Sequence, residues 1–351
     1  MHPFLNNYFN IVKKLLPGPK QISSVGLDIG VSECKLVELS KVGDALELSQ
    51  YLTEPIVAGN IPTAIKNVLT RLKSPCKSPY TALSGKGTLI RYVEMPRMTL
   101  EELKNSFGIE SDKYFPFPQD KIYTDCHILE SQPTQKQMSV LAAAVKKELV
   151  DQRIKFLNDL GLQTQFISVD PIALANVINV LGIKKEEKKD TAIALLDMGE
   201  TVLNLTIFVN RLPRFTRDIY IGGRDFTKSI SSALTLNLPE AEKLKLSPGV
   251  RKDEVIAAYE ATVMNIIQEI KLSFDYFVTE RNKEIGSLML TGGSSLLVGI
   301  DQVFKKNLEL ETFLWNPFES LNLSSTISKE DLIKVAPKLT VALGLALYNY
   351  D

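Results

Sequence analysis

The sequence predicts an α/β protein made of two similar lobes. Residues 25–39 and residues 194–205 each place two apolar, strand-like runs around a short polar turn. The matching positions are Asp28, Gly30 and Ser32 in the first turn and Asp197, Gly199 and Thr201 in the second. A chain of 351 residues is also too long for one simple core. We therefore expect a duplicated architecture in which each copy begins with a strand hairpin.

The two polar turns predict a phosphate-binding site. A hairpin tip of this kind can direct backbone N–H groups at a phosphate, while its aspartate holds a metal ion. One such turn is a weak signal, because Asp-x-Gly most often marks an ordinary turn. Two copies far apart in the chain indicate that both lobes bind one nucleotide between them.

Composition argues against several classes of function. The sequence has 41 basic and 41 acidic residues, so it lacks the basic excess typical of nucleic-acid-binding proteins. No uninterrupted apolar run approaches the roughly 18 residues of a membrane span. The three cysteines form no Cys-x-x-Cys pair, which fits a reducing cytosol. With only two histidines, any chemistry must depend on carboxylates, backbone amides and a metal ion.

Residues 1–20 form an amphipathic segment. Apolar residues recur at helical spacing through residue 16, with Lys13 and Lys14 beside them, and Pro17 ends the pattern. A short helix on the membrane surface and a helix packed against protein explain this pattern equally well. Two lysines add only about 1 kcal/mol each near anionic lipid, so membrane binding would be marginal.

The first lobe begins at residue 21, and a small inserted subdomain interrupts it after residue 91. The elements predicted for 21–91 are the first hairpin, a strand at 46–52, a helix that begins after Asn60 and a strand at 80–83. The elements predicted for the insert at 92–165 are a helix from Thr99, strands at 122–129 and 138–145, and a helix at 148–160. We therefore expect the order helix-strand-strand-helix in the insert.

The remaining chain returns to the first lobe and then forms the second. The expected boundaries are 166–190 and 336–351 for the first lobe, 191–335 for the second, and about 222–284 for a subdomain within it. A helix follows Asp170, and the charged run at 184–190 is a solvated loop between the lobes. The second lobe should contain a hairpin of strands at 203–209 and 214–219, a long helix at 253–282 and a strand at 288–290.

The order of five separated segments resembles the actin-like ATPase superfamily, whose fold is a duplicated ribonuclease H-like unit. These segments are the two Asp-x-Gly turns, the helix after Asp170, the Thr-Gly-Gly-Ser turn at 291–294 and the terminal helix at 341–347. Within the superfamily, the sequence is similar to the PilM family of type IV pilus assembly. The motifs typical of that family are at 26–30, 35–39, 95–96, 212–215, 290–294 and 316–318. The insert lies where PilM and the division protein FtsA carry theirs.

The resemblance implies that ATP and Mg²⁺ are bound, and it assigns residues to the site. Asp28 and Asp197 would hold Mg²⁺ through water, since this ion gives up its hydration reluctantly. The residues implied around the phosphates are Gly30, Val31, Ser32, Lys35, Gly199, Glu200 and Thr201. The other residues implied to bind the nucleotide are Gly222, Gly223, Glu242, Lys245, Gly292, Gly293 and Ser294. Of these, Glu242 and Lys245 match the Glu-x-x-Lys pattern that contacts ribose and adenine.

Asp170 and two departures from the family pattern bear on hydrolysis. The superfamily often has a residue near Asp170 that orients the attacking water, which would make it catalytic. Aspartate before a proline is also a favourable helix N-cap, and we favour that interpretation. Val31 and Glu33 replace serines of the first turn, and Glu33 brings negative charge towards the phosphates. We expect nucleotide binding, with hydrolysis slow or absent.

The function implied by the resemblance is a cytoplasmic, ATP-binding scaffold associated with the inner membrane through its partners. It would bind the cytoplasmic tail of a PilN-like membrane protein in a cleft beside the insert. It would link that protein to pilus motor components, with self-association as a further contact. The alternatives are an FtsA-like membrane-associated filament protein, an equivalent scaffold of a type II secretion system, and a sugar or acetate kinase. A kinase would need an acid in the first lobe to activate the phosphate acceptor, and the sequence contains no convincing candidate for it.

Overall fold

The computed structural model describes residues 23–43, 45–131, 134, 136–183 and 191–350. The amphipathic segment at 1–20 and the charged run at 184–190 lie outside the described residues. The strands are β1 (Ser23–Ile29), β2 (Glu33–Val42), β3 (Ala45–Pro55), β4 (Tyr80–Leu83), β5 (Thr88–Pro96), β6 (Ile122–Glu130), β7 (Gln137–Lys146), β8 (Phe166–Val169), β9 (Ala192–Met198), β10 (Leu203–Val209), β11 (Leu212–Ile219), β12 (Ile285–Thr291), β13 (Glu311–Leu314) and β14 (Asn322–Leu323). The helices are α1 (Ile61–Thr70), α2 (Leu100–Glu110), α3 (Lys147–Asp159), α4 (Asp170–Leu181), α5 (Gly223–Leu234), α6 (Leu238–Leu246), α7 (Lys252–Arg281), α8 (Ile300–Leu308), α9 (Lys329–Val335) and α10 (Thr340–Leu347). Within these residues, no helix is both long enough and apolar enough to cross a membrane.

The two lobes are built on sheets with the same strand order. In the first sheet, β3, β2 and β1 form an antiparallel meander, and β4 and β8 continue it in parallel beyond β1. In the second sheet, β11, β10 and β9 form the meander, and β12 and β13 are the parallel continuation. The matching order and direction confirm the duplication that the two polar turns predicted.

One strand of the first sheet comes from an unexpected part of the chain. β14 pairs in parallel with the outer edge of β3, with Leu323 opposite Leu48. It lies within residues 191–335, which the sequence analysis assigned entirely to the second lobe. The chain therefore crosses back to the first sheet before residue 336, and a strand of only two residues gives no sequence pattern from which this could be predicted.

The insert is a three-stranded antiparallel sheet in the order β5-β7-β6, with α2 packed on one face through Leu103 and Phe107. Thr99 caps α2, because its hydroxyl accepts from the Glu102 N–H while the Glu102 carboxylate accepts from the Thr99 N–H. The sequence pattern did not predict β5. It begins at Thr88, before the boundary expected at 92, so the order is strand-helix-strand-strand-helix.

Two helices lie between the sheets and join the lobes through one apolar core. α4 and α10 pack against β2 and β3 of the first sheet and against β9 and β12 of the second. All eight residues of α10 are buried. The outer face of the first sheet is covered by α1 and α3, and that of the second by α5, α7 and α8. This layered arrangement places the carboxyl ends of β1, β4 and β8 opposite those of β9 and β12.

The insert also contacts the second lobe through the edge strand β11. Arg214 of β11 donates to the Ser139 hydroxyl at 2.7 Å and to the Glu130 carboxylate at 2.5 Å. The hydroxyl groups of Tyr92 and Thr216 share a hydrogen bond of 2.8 Å. We call these five residues the insert–β11 bridge. Arg214 and Thr216 are two positions apart on a strand, so their side chains leave the same face of β11 towards the insert.

Candidate functional site

A cavity of about 1020 Å³ lies between the lobes, where the strand ends of the two sheets face each other. Its wall contains both polar turns and the Thr-Gly-Gly-Ser turn. The residues expected at the site that line it are Asp28, Gly30, Val31, Ser32, Lys35, Asp170, Asp197, Gly199, Glu200, Thr201, Glu242, Lys245, Gly292, Gly293 and Ser294. The structure thus brings residues from five separated segments to one place. Gly222 and Gly223 lie directly behind this wall, against Glu200.

The two polar turns have the same backbone geometry. In the first, the Gly30 N–H donates to the Glu33 carbonyl at 3.2 Å, and in the second the Gly199 N–H donates to the Val202 carbonyl at 3.2 Å. Each turn joins the first and second strands of its meander. The intervening side chains and amides at 31–32 and 200–201 face the cavity. These are the groups that such a turn can offer to phosphate oxygens.

In the first turn, Lys35 is paired with Asp28. These residues are opposite each other in the β1–β2 hairpin, and the Lys35 ammonium donates to Asp28 Oδ2 at 2.8 Å. Only 16% of the lysine side chain and 13% of the aspartate side chain are exposed. Burial opposes the charge on Lys35, but the Asp28 carboxylate outweighs this effect and raises the pKa of the lysine. Lys35 therefore stays charged at the cavity wall.

The second turn is held by contacts from two other segments. The Gly223 N–H donates to the Gly199 carbonyl at 3.0 Å, and the Arg224 N–H donates to the Glu200 carbonyl at 2.9 Å. The Ser294 hydroxyl donates to the same Gly199 carbonyl at 3.1 Å. Gly223 and Ser294 therefore affect the cavity by fixing the second polar turn. This support is a role that the sequence analysis did not assign to them.

Gly292 is required by packing against Asp197. Thr291 is level with Asp197 across the parallel β12–β9 pair, and the next residue turns away with a φ of +84°. A Cβ at 292 would collide with the Asp197 carboxylate and with the Met198 backbone. The family resemblance implied that this glycine binds the nucleotide. Its close approach to the Asp197 carboxylate is by itself enough to require a glycine at this position.

Glu242 and Lys245 form one buried network under the cavity. The Lys245 ammonium lies 2.7 Å from the Glu242 carboxylate, 2.8 Å from the Thr227 hydroxyl and 3.0 Å from the Gly223 carbonyl. An ammonium has three N–H donors, so each has a protein acceptor. Lys245 therefore positions Glu242 and the Gly223 turn, whereas the Glu242 carboxylate, which is 40% exposed, remains accessible to a ligand.

Three aspartates converge on the cavity from both lobes. Burial raises the pKa of Asp197 to about 6, with Lys35 opposing the shift and Asp28 adding to it. Burial also raises the pKa of Asp170, and the Asp28 and Asp197 carboxylates raise it further. All three aspartates line the same cavity. In the described part of the chain no group of three or more His, Cys, Asp or Glu side chains is arranged to hold a metal ion directly.

The interpretation of Asp170 as a helix cap is wrong. Asp170 is the first residue inside α4, Val169 occupies the cap position, and no side chain caps the helix. The Asp170 side chain instead faces the cavity and bonds to Ser84. Pro171 accounts for the misleading pattern, because a proline in the first turn needs no cap partner for its missing N–H.

Glu33, a departure from the family pattern, is neutralised within the protein. Its carboxylate lies 3.4 Å from the Lys338 ammonium, and both groups are mostly buried at the cavity wall. Lys338 follows Pro337, whose carbonyl accepts from the Gly292 N–H at 2.8 Å. The charge of Glu33 is therefore directed towards the segment before α10, and the objection that it would repel phosphates is much weakened.

Several cavity residues were missed by the sequence analysis. They are Ser84, Lys86, Arg153, Asn204, Asp218, Lys334 and Lys338. Asn204 donates to Asp218 at 2.9 Å, and both lie on the meander strands of the second lobe. None belongs to a local motif, since each reaches the cavity through strand pairing or helix packing. Only the position of Asn204, a polar residue in an apolar strand next to the second turn, could have indicated a site.

The duplicated sheets, the two helices between them and the paired turns define an actin-like ATPase fold. The family model described as type IV pilus assembly protein PilM matches residues 26–350. The chain therefore belongs to the PilM family of type IV pilus assembly proteins, as the sequence motifs predicted.

Individual relatives agree with this assignment. A chain of the solved PilM-PilN type IV pilus biogenesis complex is 26% identical, with a TM-score of 0.83 over 94% of this chain and 99% of that one. The ethanolamine utilization protein EutJ from Carboxydothermus hydrogenoformans shares the fold at 14% identity, with a TM-score of 0.56 over 97% of both chains. Cell division protein FtsA of Borreliella burgdorferi is 22% identical over 209 residues, which are 52% of this chain and 49% of FtsA. The chain spans about half the length of the curated relatives it matches.

Proposed function

We propose that this protein is a cytoplasmic, nucleotide-binding scaffold of type IV pilus assembly that binds the tail of a PilN-like inner-membrane protein. The observation that carries the proposal is the meeting of two matched hairpin tips, at 28–32 and 197–201, in one cavity between two lobes. Membership of the PilM family supplies the cellular context. Attachment to the inner membrane then comes from the bound partner, which the scaffold would link to pilus motor components.

MgATP is the ligand whose chemistry fits this cavity best. The turn amides and the Lys35 ammonium suit phosphate oxygens, and the Asp28 and Asp197 carboxylates suit the hydrated metal ion. Glu242 is available to ribose hydroxyls, with Lys245 supporting it from below. A bound Mg²⁺ would neutralise phosphate charge and lower the repulsion among the three aspartates. Asp170 is the candidate for orienting a water if hydrolysis occurs.

We expect the tail to bind where the insert meets the first lobe. Tyr123 of β6 is 47% exposed and Ile154 of α3 is 39% exposed. The Lys147 ammonium lies 5.4 Å from the Tyr123 ring, and the Tyr123 hydroxyl donates to Asp151 at 3.2 Å. The exposed edge strand β6 and the face of α3 together offer apolar side chains and unpaired backbone groups, which suit a short peptide. The PilM-PilN complex is the reason for choosing this partner.

Nucleotide would act by changing the populations of open and closed lobes. The insert is continuous with the first lobe but contacts the second through the insert–β11 bridge. Closure around a nucleotide therefore changes the position of the insert relative to one of its two supports. A ligand shifts such an equilibrium only by its differential affinity for the two states.

The test is a pull-down of the full chain with synthetic tails of candidate inner-membrane proteins, with and without MgATP. Tyr123→Asp and Ile154→Asp should reduce capture of the PilN-like tail, whereas Val250→Asp, on a fully exposed position of the second lobe, should not. Capture of a type II secretion tail instead would assign the scaffold to that system. Failure of the wild-type chain to bind any tail or MgATP would refute the proposal.

An FtsA-like filament is the second candidate, because FtsA proteins match about half of the chain. It predicts that MgATP drives the full chain into large assemblies. Sedimentation at increasing protein concentration distinguishes the two functions, since a scaffold remains in the supernatant as a small species.

A further inference from the structure

Arg153 is a cation in the cavity wall that belongs to neither of the two hairpin tips. It lies on α3 and lines the cavity from the side of the first lobe. Its Nη1 group donates to the Ala82 carbonyl at 2.9 Å and to the Thr81 hydroxyl at 3.2 Å. Both acceptors are on β4, which pairs on one side with β1, the strand that contains Asp28, and on the other with β8, which ends just before Asp170. These bonds fix the plane of the guanidinium at the strand ends.

The remaining donors of Arg153 are available to a ligand. Within the described residues, its Nε and Nη2 groups have no hydrogen-bond acceptor, and its charge has no carboxylate in ion-pair contact. Burial lowers the pKa of Arg153, while Asp170 and then Asp28 oppose this through longer-range attraction. A partly buried cation without a direct counter-ion is costly. An anion that enters the cavity removes that cost.

The direction of a bound nucleotide follows from which lobe supplies each contact. Glu242 and the 292–294 turn, the groups suited to the nucleoside, both belong to the second lobe, and so does Lys245, which supports Glu242. The phosphate turns lie between the lobes. The end of the phosphate chain therefore extends away from the nucleoside-binding residues, towards the ends of β1 and β4, where Arg153 is held.

We propose that Arg153 binds the terminal phosphate of a nucleoside triphosphate, so that the cavity distinguishes a triphosphate from a diphosphate. The inference rests on the proposed nucleotide function and specifies its ligand. Nε and Nη2 lie on one edge of the guanidinium, the geometry that binds two phosphate oxygens at once. Lys35, which is bonded to Asp28, offers a compact point charge and lacks a planar edge of this kind.

The position of Arg153 also connects the terminal phosphate to the partner face. Ile154, proposed above to contact the tail, is the next residue on α3. A triphosphate held by Arg153 fixes α3 against β4 more firmly than a diphosphate, which does not reach it. Partner binding should then respond to the terminal phosphate, and not merely to an occupied cavity.

The test compares binding of MgAMPPNP, a non-hydrolysable triphosphate, with binding of MgADP by calorimetry on the full chain. In Arg153→Gln, MgAMPPNP affinity should fall by about tenfold to a hundredfold, the range for charge-assisted hydrogen bonds, while MgADP affinity stays within about twofold. Arg153→Lys keeps the positive charge but lacks the planar edge, so its MgAMPPNP affinity should lie between those of the wild type and Arg153→Gln. Arg71→Gln is the matched control, because Arg71 lies outside the cavity and pairs with Glu54 at 2.8 Å.

Retained MgADP binding shows that each variant is folded, so it separates a lost contact from a lost structure. Equal weakening of both nucleotides would overturn the proposal and make Arg153 a counter-ion for the aspartates. Unchanged affinity for both would overturn it as well. If the wild-type chain binds neither nucleotide, the proposed nucleotide function fails and this inference fails with it, a result distinct from the other two.

Discussion

Replacing Asp197 with asparagine should stabilise the nucleotide-free protein at neutral pH. Folding raises the pKa of this carboxyl from its ordinary 3.8 to about 6, chiefly through burial. The folded protein thus binds the proton more tightly than the unfolded chain does. The contribution of this carboxyl to stability is therefore greatest below pH 4, falls as the pH rises towards 6 and is constant above that. The difference between 3.8 and about 6 corresponds to at most about 3 kcal/mol.

The assay is urea unfolding in EDTA at pH 4 and at pH 7.5. Asp197→Asn should raise the free energy of unfolding by up to about 3 kcal/mol at pH 7.5 and change it little at pH 4. Asp275→Asn, on the exposed face of α7, is the control and should have no pH-dependent effect. Adding MgATP should stabilise the wild type but not Asp197→Asn. A variant less stable than the wild type at pH 7.5 without metal would refute the reasoning.

Three further predictions concern two residues of the cavity wall and one residue of the insert–β11 bridge. Gly292→Ala should lower the free energy of unfolding, measured with urea, by about 2 kcal/mol or more. Gly293→Ala is the control and should leave it unchanged, because a Cβ at 293 would meet open space. Lys338→Met should weaken MgATP binding by up to about fivefold by exposing the Glu33 charge, and adding Glu33→Gln should restore it in titration calorimetry. Tyr92→Phe should lower the free energy of unfolding, measured with urea, by about 1 kcal/mol, because it removes the hydroxyl bond to the second lobe. An unchanged free energy of unfolding would show that this bond does not contribute to stability.

The elements with strong local signals were predictable. The two hairpins carry their own turn residues, and their apolar runs match the buried strands β1, β2, β9 and β10. Asn60 and Thr99 cap α1 and α2 as their side chains suggested. Each of these elements is determined by a few neighbouring residues, so the local sequence is enough to predict it.

Features that depend on distant contacts were missed. β5 contains Arg91 and Glu94 and alternates poorly, because one of its edges pairs with β7 while the other faces the second lobe. Arg153 resembles any surface arginine of an amphipathic helix until α3 is packed against β4. Asp170 was misread because Pro171 gives the same local pattern whether the carboxylate caps a helix or faces a cavity. The sequence records these side chains but not their neighbours.

The insert–β11 bridge affects more than the movement of the lobes. β11 is an eight-residue edge strand, and edge strands offer unpaired backbone groups to other chains. With the insert in place, this edge is covered by β5 and held by Arg214 and Tyr92. A partner that drew the insert aside would expose a surface able to recruit another strand. Under the proposed function, the contacts that respond to closure would therefore also shield the β11 edge from pairing with another chain.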